Sequence, residues 1–527
     1  MIDFTPIVKP YFDARLRKAE LFVEHGESVQ RGQLDELLQQ ASRTEIGLRY
    51  GFGDRMMSYA RFSERVPLHT YDDLRADILR MIRGEKNVLW RGGARHFAKS
   101  SGTTGGRSKY IPVTPDSFKE CHYKGGRDTV AHYLNLNPGS RIFSGKGLIL
   151  GGSFDGDVES QLGAGLPARA KVGDLSASLI SNISPIVNLV RVPKKSVALI
   201  PDWERKLPAL VEASLGENVT NISGVPSWFL TVLRRVVERA GADTIHDVWP
   251  NLEVFFHGGI SFEPYRDEYA RLCDSGKMHY IETYNASEGF FAVQSSWDSS
   301  AMMLLLDLGV FYEFIPAESS ANEQPEALPL WEVEKGKVYE LVISANNGLW
   351  RYRMGDLVKI EQTAPVKITV AGRTKLFINA FGEELMVHHA DEAIKLACRD
   401  TGAAISDYTA APVYARGDRC GRHQWLIEFD VEPPSLEDFA ITLDAHLQRL
   451  NSDYAAKRGH DLFLSRPVVT AARKGLFDNW LEGSGKLGGQ RKVPRLSNNR
   501  RIIERMLEMN TMPTNNNTDG RVLPRLP

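Results

Sequence analysis

GVPSWFLTVLRRVVERAG (224–241), followed by LEVFFHGG (252–259) and HYIETY (279–284), decides the fold class. In the first segment Trp228, Phe229, Val232, Leu233, Val236 and Val237 recur at helical spacing as one stripe, and Gly241 ends the run. LEVFFHGG reads as a strand, a helix begins near Glu263, and HYIETY reads as the next strand. Strand alternating with helix predicts α/β layers.

Upstream, the first hundred residues read as amphipathic helices. The clearest is SERVPLHTYDDLRADILRMIRGE, where Leu74, Ile78, Leu79 and Ile82 share a face. Residues 147–254 mix short apolar strands with helices. Downstream of Ala301 the pattern turns to antiparallel strands: MMLLLDLGVFYEFIP, GKVYELVIS, LWRYRMGDLVKIE and VKITVAG. Turns are predicted at Asn346-Asn347-Gly348 and at Gly355-Asp356. From about Leu376 a smaller unit follows: a strand (LFINAF), a helix (Glu392 to Arg399), a strand (HQWLIEFDV), a helix (Leu436 to Leu450) and a short final segment. These boundaries predict a large domain over 1–375, a small domain over 376–510 and a polar, Pro/Asn-rich, disordered tail over 511–527.

The bulk numbers agree with a multi-domain enzyme. At 527 residues the chain exceeds the ~250–300 that one core usually serves. Its formal net charge of -1 gives no electrostatic argument for a nucleic acid or an anionic membrane. No stretch approaches the ~20 apolar residues of a membrane span. Cys121, Cys273, Cys398 and Cys420 form no CxxC pair and no zinc-ligand spacing, which predicts a reducing, cytoplasmic setting. Oligomeric state is left open, a monomer included.

Three stretches carry chemistry. In FAKSSGTTGGRSKYIPVT (97–114) the hydroxyls of Ser100, Ser101, Thr103 and Thr104, the amides freed by Gly102, and the cation Lys109 suit phosphate oxygens. The P-loop count fails, because Arg107 stands where the second glycine must be. YNASEGFF sets Glu288 beside Ser287 in a turn of small residues, where a carboxylate can hold Mg²⁺. YRMGD offers Asp356 at the end of a strand, a carboxylate able to accept from a ribose diol. By themselves, each stretch also reads as an ordinary surface loop or turn. LGAGLPA fits GxGxxA at Gly163, Gly165 and Ala168, but Pro167 and the missing preceding strand spoil a dinucleotide site.

In this order, SSGTTGGRSK, YNASEG and YRMGD resemble the nucleotide motifs of the GH3 acyl-acid amido synthetases, a branch of the adenylate-forming superfamily. TEIGLRYGF, GVPSWFLTVL and QRKVPR resemble GH3 sequence as well, so the likeness spans nearly the whole chain. Short length and divergent motif flanks point to a bacterial member. The resemblance implies a luciferase-like architecture: a large N-terminal α/β adenylation domain with a β-barrel-like portion, and a small, mobile α+β C-terminal domain. It implies ATP as co-substrate, Mg²⁺ as cofactor, and a carboxylic acid and an amino acid as partners.

By match, Ser100, Ser101, Gly102, Thr103, Thr104 and Lys109 would wrap the phosphates. Glu288 would bind Mg²⁺, Ser287 would contact the α-phosphate, Tyr284 would pack near adenine, and Asp356 would hold the ribose. Asn285 replaces the family's usual glycine, and asparagine tolerates positive φ. FFHGG would form the adenine-side loop. Arg373 with Lys375 resembles the inter-domain hinge, and Lys492 would reach the active site, a solvated basic turn being the other reading of that lysine. The implied reaction adenylates a carboxylate with loss of pyrophosphate, then passes the acyl group to an amine. No covalent nucleophile is needed, and no GxSxG or HExxH is present. His69, His257 and His388 are candidate bases, each also readable as structural. An acyl-CoA or carrier-protein ligase and a non-catalytic nucleotide binder remain the rival readings.

Overall fold

The computed structural model describes residues 3–54, 57–100, 109–154, 170–274, 276–322, 324–373, 377–415, 420–459, 463–483 and 493–511. The chain divides into two compact units, the break falling between Arg373 and Phe377. Gly163, Gly165 and Ala168, and the predicted tail from 512 onward, lie outside the described residues.

The first unit opens with helices Thr5–Ala41, Glu45–Tyr50, Tyr59–Arg65 and Tyr71–Ile82. Tyr71–Ile82 buries Leu74, Ile78 and Ile82, and Leu79 packs against the same core from a half-exposed position. A hairpin of β1 (His96–Ser100) and β2 (Lys109–Val113) follows, then β3 (Lys146–Ile149) and β4 (Lys171–Gly173), the latter parallel to β1. Next come β5 (Arg191–Val192), β6 (Val219–Gly224), β7 (Val254–Gly258), β8 (His279–Ala286), β9 (Gly289–Gln294) and β10 (Met302–Leu304). The unit ends with β11 (Val310–Pro316), β12 (Leu328–Pro329), β13 (Val338–Ala345), β14 (Tyr352–Thr363) and β15 (Val366–Arg373).

One twelve-stranded sheet holds most of them, in the order β12-β11-β13-β14-β15-β10-β9-β8-β7-β6-β3-β5. β5, β3, β6, β7 and β8 run parallel, and from β8 to β12 every pairing is antiparallel. The parallel strands are apolar on both faces because both are covered. Phe255 of β7 meets Phe229 of the Pro226–Ala240 helix at 5.2 Å between ring centres. Its neighbour Phe256, pointing to the opposite face, meets Tyr133 of the Tyr123–Leu136 helix at 5.7 Å. The helix expected near Glu263 is a single 3₁₀ turn, Glu263–Tyr265, followed by Arg266–Leu272.

The antiparallel part has no closed ladder among the described residues, so no hydrogen-bonded barrel forms there. The sheet nevertheless rolls. β8 and β14 stand four spacings apart in strand order, about 19 Å on a flat sheet at ~4.8 Å per strand. Yet Tyr284 of β8 hydrogen-bonds Asp356 of β14 at 2.7 Å.

Buried ion pairs hold this body to its helices. Arg15, in the Thr5–Ala41 helix, donates to both oxygens of Asp128 at 2.6 Å and to both of Asp307 at 2.8 Å. Arg351 donates to Glu313 and to the carbonyls of Ser63 and Val66.

In the second unit β16 (Phe377–Ile378) pairs with β17 (Leu385–Met386), so only two residues of the expected LFINAF strand are paired. Helix Val387–Thr401 is longer than expected at both ends. Then β18 (Ala404–Val413) and β19 (Gly421–Val431) run antiparallel, and β20 (Leu464–Ala472) returns parallel to β19 after the helix Leu436–Leu450. Short helices Ser452–Arg458, Leu476–Gly483 and Arg501–Thr511 complete it.

Arg15→Met should strand buried Asp128, leave Asp307 only its ion pair with Lys124, and cost roughly 3–5 kcal/mol. Urea unfolding followed by circular dichroism measures it, and a loss under ~1 kcal/mol would refute the stabilising role of this cluster.

Candidate functional site

β14 alternates in burial, with Tyr352, Met354, Asp356, Val358 and Ile360 on its buried side. Asp356 is therefore a carboxylate at a core-facing position, 6% exposed. Such a group is costly unless hydrogen-bonded. The Tyr284 hydroxyl supplies the bond, and the Tyr284 ring packs against Phe291. Asp356 also stands in backbone register with Arg373, the last residue of β15.

The turn expected at Gly355-Asp356 is not there; both residues lie inside β14. What the glycine marks is a bulge. Leu357 pairs with Glu340 and Arg353 with Val342, so β14 carries two extra residues at that point. Gly355 adopts φ 76°, open to glycine without the steric cost a side chain brings.

Four residues before Asp356, the Tyr352 hydroxyl accepts a hydrogen bond from Lys109 Nζ at 3.2 Å. Lys109 starts β2 directly opposite Ser100, which ends β1. Ser101, Gly102, Thr103 and Thr104 lie outside the described residues, in the segment joining those two ends.

Ser287 and Glu288 form the two-residue turn between β8 and β9, with Ala286 paired to Gly289. Both are half-buried. Asn285, where the family usually has glycine, does not use the positive φ that asparagine tolerates. It belongs to β8 with no positive φ, and the ladder slips by one residue beside it instead. The Glu288 carbonyl accepts from Asn347 Nδ2 at 2.9 Å. Asn347 sits in the turn between β13 and β14, and its neighbour's carbonyl, Asn346 O, accepts from Thr114 Oγ1 at 2.7 Å. Sequence reasoning located the 346–348 turn and Tyr352 but gave neither a role. The sequence shows two asparagines in a turn, and only the structure shows both of them buried.

FFHGG closes β7. A Cβ on Gly258 would stand 2.4 Å from the Thr283 carbonyl oxygen, so only glycine lets β8 approach there. His257 is buried, stacked on Phe262 at 4.5 Å, and burial pulls its pKa down to about 3. His69 places Nδ1 2.7 Å from Trp350 O, and burial lowers its pKa. Its backbone pairs with Arg351 and Arg353 beside β14. Burial keeps both histidines neutral. His388 lies in the second unit, its ring 4.0 Å from that of His389.

Among the described residues no group of three or more His, Cys, Asp and Glu could hold a metal. Glu288 is a single carboxylate in a hairpin turn. That fits Mg²⁺, which takes one or two protein carboxylates and leaves its other positions to water and phosphate. Lys375 and Lys492 lie outside the described residues.

Residues 15–278 match the GH3 family N-terminal domain, 303–373 the GH3 family central domain and 388–501 the GH3 family C-terminal domain. The chain belongs to the GH3 family. Among curated relatives, "Indole-3-acetic acid-amido synthetase GH3.3" of Arabidopsis thaliana is 23% identical over 554 residues, 91% of each chain. "Indole-3-acetic acid-amido synthetase GH3.8" of Oryza sativa subsp. indica is 24% identical, covering 91% of this chain and 90% of its own. These relatives are plant proteins and give the expected bacterial origin no support.

Among solved structures, "GH3.15 acyl acid amido synthetase" superposes with a TM-score of 0.59 at 17% identity, over 95% of this chain and 96% of its own. A 2-hydroxyisobutyryl-CoA ligase bound to 2-HIB-AMP and CoA gives 0.51 at 13% identity, over 92% of each. The mixed α/β fold, with a large N-terminal and a smaller C-terminal domain, is the one these structures share. No described helix is long and apolar enough to cross a membrane.

Burial also holds His96, His122 and His132 down at about 4. Unfolded histidine takes a proton near 6.5, and the folded chain refuses it. The stability these groups contribute is complete above ~6.5 and is lost as pH falls towards 4. Buried Asp128 and Glu313, whose pKa values are raised, act in the opposite sense, so a substitution is needed to isolate the histidines. The urea midpoint of a His257→Leu variant should fall less steeply than wild type between pH 6.5 and 4.5. Parallel slopes would contradict the assignment.

Proposed function

We propose that this protein is an ATP-dependent acyl-acid amido synthetase. The observation that carries the reading is the convergence of three sequence motifs on one hairpin. β14 receives Tyr284 at Asp356 and Lys109 at Tyr352, and the turn before it receives the Glu288 carbonyl. The plant relatives are named as amido synthetases.

In the first half-reaction a substrate carboxylate oxygen attacks the α-phosphorus of ATP. The bond to the bridging oxygen breaks, pyrophosphate leaves and a mixed acyl–phosphate anhydride remains. In the second an amine nitrogen attacks the acyl carbon, AMP leaves with the phosphate oxygen, and the nitrogen gives up a proton. Both steps gather negative charge at the phosphate. Lys109, fixed by Tyr352, supplies positive charge there. Mg²⁺ on Glu288, when bound, adds to it. Asp356 accepts from the ribose hydroxyls while Tyr284 fixes its second oxygen. Ser100, Ser101, Gly102, Thr103 and Thr104 wrap the phosphates, Ser287 contacts the α-phosphate, and Arg373 belongs to the nucleotide side of the hinge. Residues 1–375 act as the adenylation domain, and 376–510 as a mobile domain that brings Lys492. The amine is an amino acid. The setting is a reducing cytoplasm, where Cys121, Cys273, Cys398 and Cys420 stay thiols.

A pyrophosphate-release screen of carboxylic acids, indole-3-acetate among the first, should find a substrate. Mass spectrometry with amino acids or CoA should then show an amide. Thioester alone would overturn the amide reading, and ATP binding without pyrophosphate from any acid would make the protein a binder. Glu288→Ala should lower Mg²⁺-dependent pyrophosphate release by about 100-fold or more while leaving the circular dichroism spectrum unchanged.

A further inference from the structure

The hydrogen bond from Asn347 to Glu288 ties a buried side chain of the β13–β14 turn to the turn between β8 and β9. Asn347 is 1% exposed. Its Nδ2 donates to the Glu288 carbonyl at 2.9 Å, and its Oδ1 accepts from Leu349 N at 3.3 Å. The amide is therefore used at both ends, and its direction is fixed by its own turn. That turn is anchored in three more places. Asn346 N donates to Gly309 O, Thr114 Oγ1 donates to Asn346 O, and Gly348 N donates to Ala345 O.

On the far side of Glu288, Cys121 Sγ accepts from Phe290 N at 3.2 Å. The turn is clamped on both flanks, and of the two clamps only Asn347 reaches the backbone of Glu288 itself. Polar groups that hold a ligand's own framework set where its carboxylate stands, and removing such a partner typically costs 10–100-fold in metal affinity.

The geometry points to Asn347 as a positioning residue that sets the Glu288 carboxylate for the metal–nucleotide. This rests on the proposed role of Glu288. Asn347 is buried, and its amide bonds backbone groups of the protein. Without its donor the Glu288 carbonyl loses this cross-turn bond, and the two-residue turn is held less rigidly. The carboxylate then has to be ordered at the moment of binding. The expected mark is a changed Mg²⁺ requirement rather than a changed acid or amine preference.

The test is ATP binding by titration calorimetry on the full chain at stepped Mg²⁺ concentrations, with thermal unfolding recorded for each protein. Asn347→Leu removes the donor with the same number of side-chain heavy atoms, and Asn347→Ser is the smaller alternative should leucine prevent folding. Glu288→Gln sets the benchmark. Thr114→Val loosens the same turn without touching the Asn347 amide.

Either Asn347 variant should need about tenfold more Mg²⁺ for half-maximal binding, in the direction of Glu288→Gln, with ATP affinity recovering at saturating Mg²⁺. Thr114→Val should lower the unfolding temperature and leave the Mg²⁺ midpoint in place. If Glu288→Gln moves the midpoint and the Asn347 variants do not, the positioning role falls and the metal reading stands. An equal shift in Thr114→Val would also overturn it, since general loosening would then suffice. If Glu288→Gln itself leaves the midpoint unmoved, the metal reading fails and takes this inference with it.

Discussion

Tyr284 and Asp356 stand four strand spacings apart in the sheet order, and their side chains are 2.7 Å apart. A tyrosine and an aspartate reaching towards each other cannot bridge the ~19 Å that a flat sheet would put between them. The sheet has to roll for this bond to exist. Once it has rolled, the end of the parallel strands and the antiparallel hairpin face one space. The bond makes the buried carboxylate tolerable as well. A hydrogen bond to a charged acceptor contributes ~1.5–3 kcal/mol, against a desolvation cost of similar size. Site and curvature therefore depend on one another.

The start of β14 is held with unusual firmness. Arg351, one residue before the strand, has φ 41°, which is strained for a residue with a side chain. Its guanidinium is engaged by Glu313 and by two backbone carbonyls at the C-terminal end of the Tyr59–Arg65 helix, those of Ser63 and the capping Val66. On the same stretch, His69 N donates to Arg351 O and Arg353 N donates to His69 O. The strand cannot slide, and a slide of one residue would turn Asp356 outward. Strain at 351 is thus offset by contacts that fix the register the carboxylate needs.

Much of this was legible in advance, for local reasons. The helix Leu436–Leu450 came out with the boundaries read from its periodicity, because Ser435 caps it and the apolar stripe is continuous. The stripe at 229–236 was equally clear, although Trp228 and Val237 at its rim are only half-buried. What failed depended on partners distant in sequence. Gly355 signalled a break in regular strand, but whether the chain turns or bulges is decided by β13, not by the dipeptide. LFINAF has strand composition and finds only a two-residue partner. The strands at 404–413 and 464–472 were passed over because their apolar alternation is weak; they are held by pairing to β19. In the site, residue types suited to metal and ribose were visible in the sequence. Tyr352 and Asn347 were not, because their roles come from what the roll of the sheet brings within reach.

The histidines sharpen the division of charge. His69 and His257 are both kept neutral by burial, and each is engaged with backbone or aromatic rings rather than open to a reactant. They add no positive potential at neutral pH. Lys109 brings positive charge to the site, its ammonium held by Tyr352 on the same buried side of β14 as Asp356. The two positions are four residues apart, at most ~13 Å along a strand and less across a bulge. One strand face thus offers a cation at one end and a hydroxyl-accepting carboxylate at the other. The proposed nucleotide, anionic at one end and a sugar diol at the other, would meet both groups along one strand.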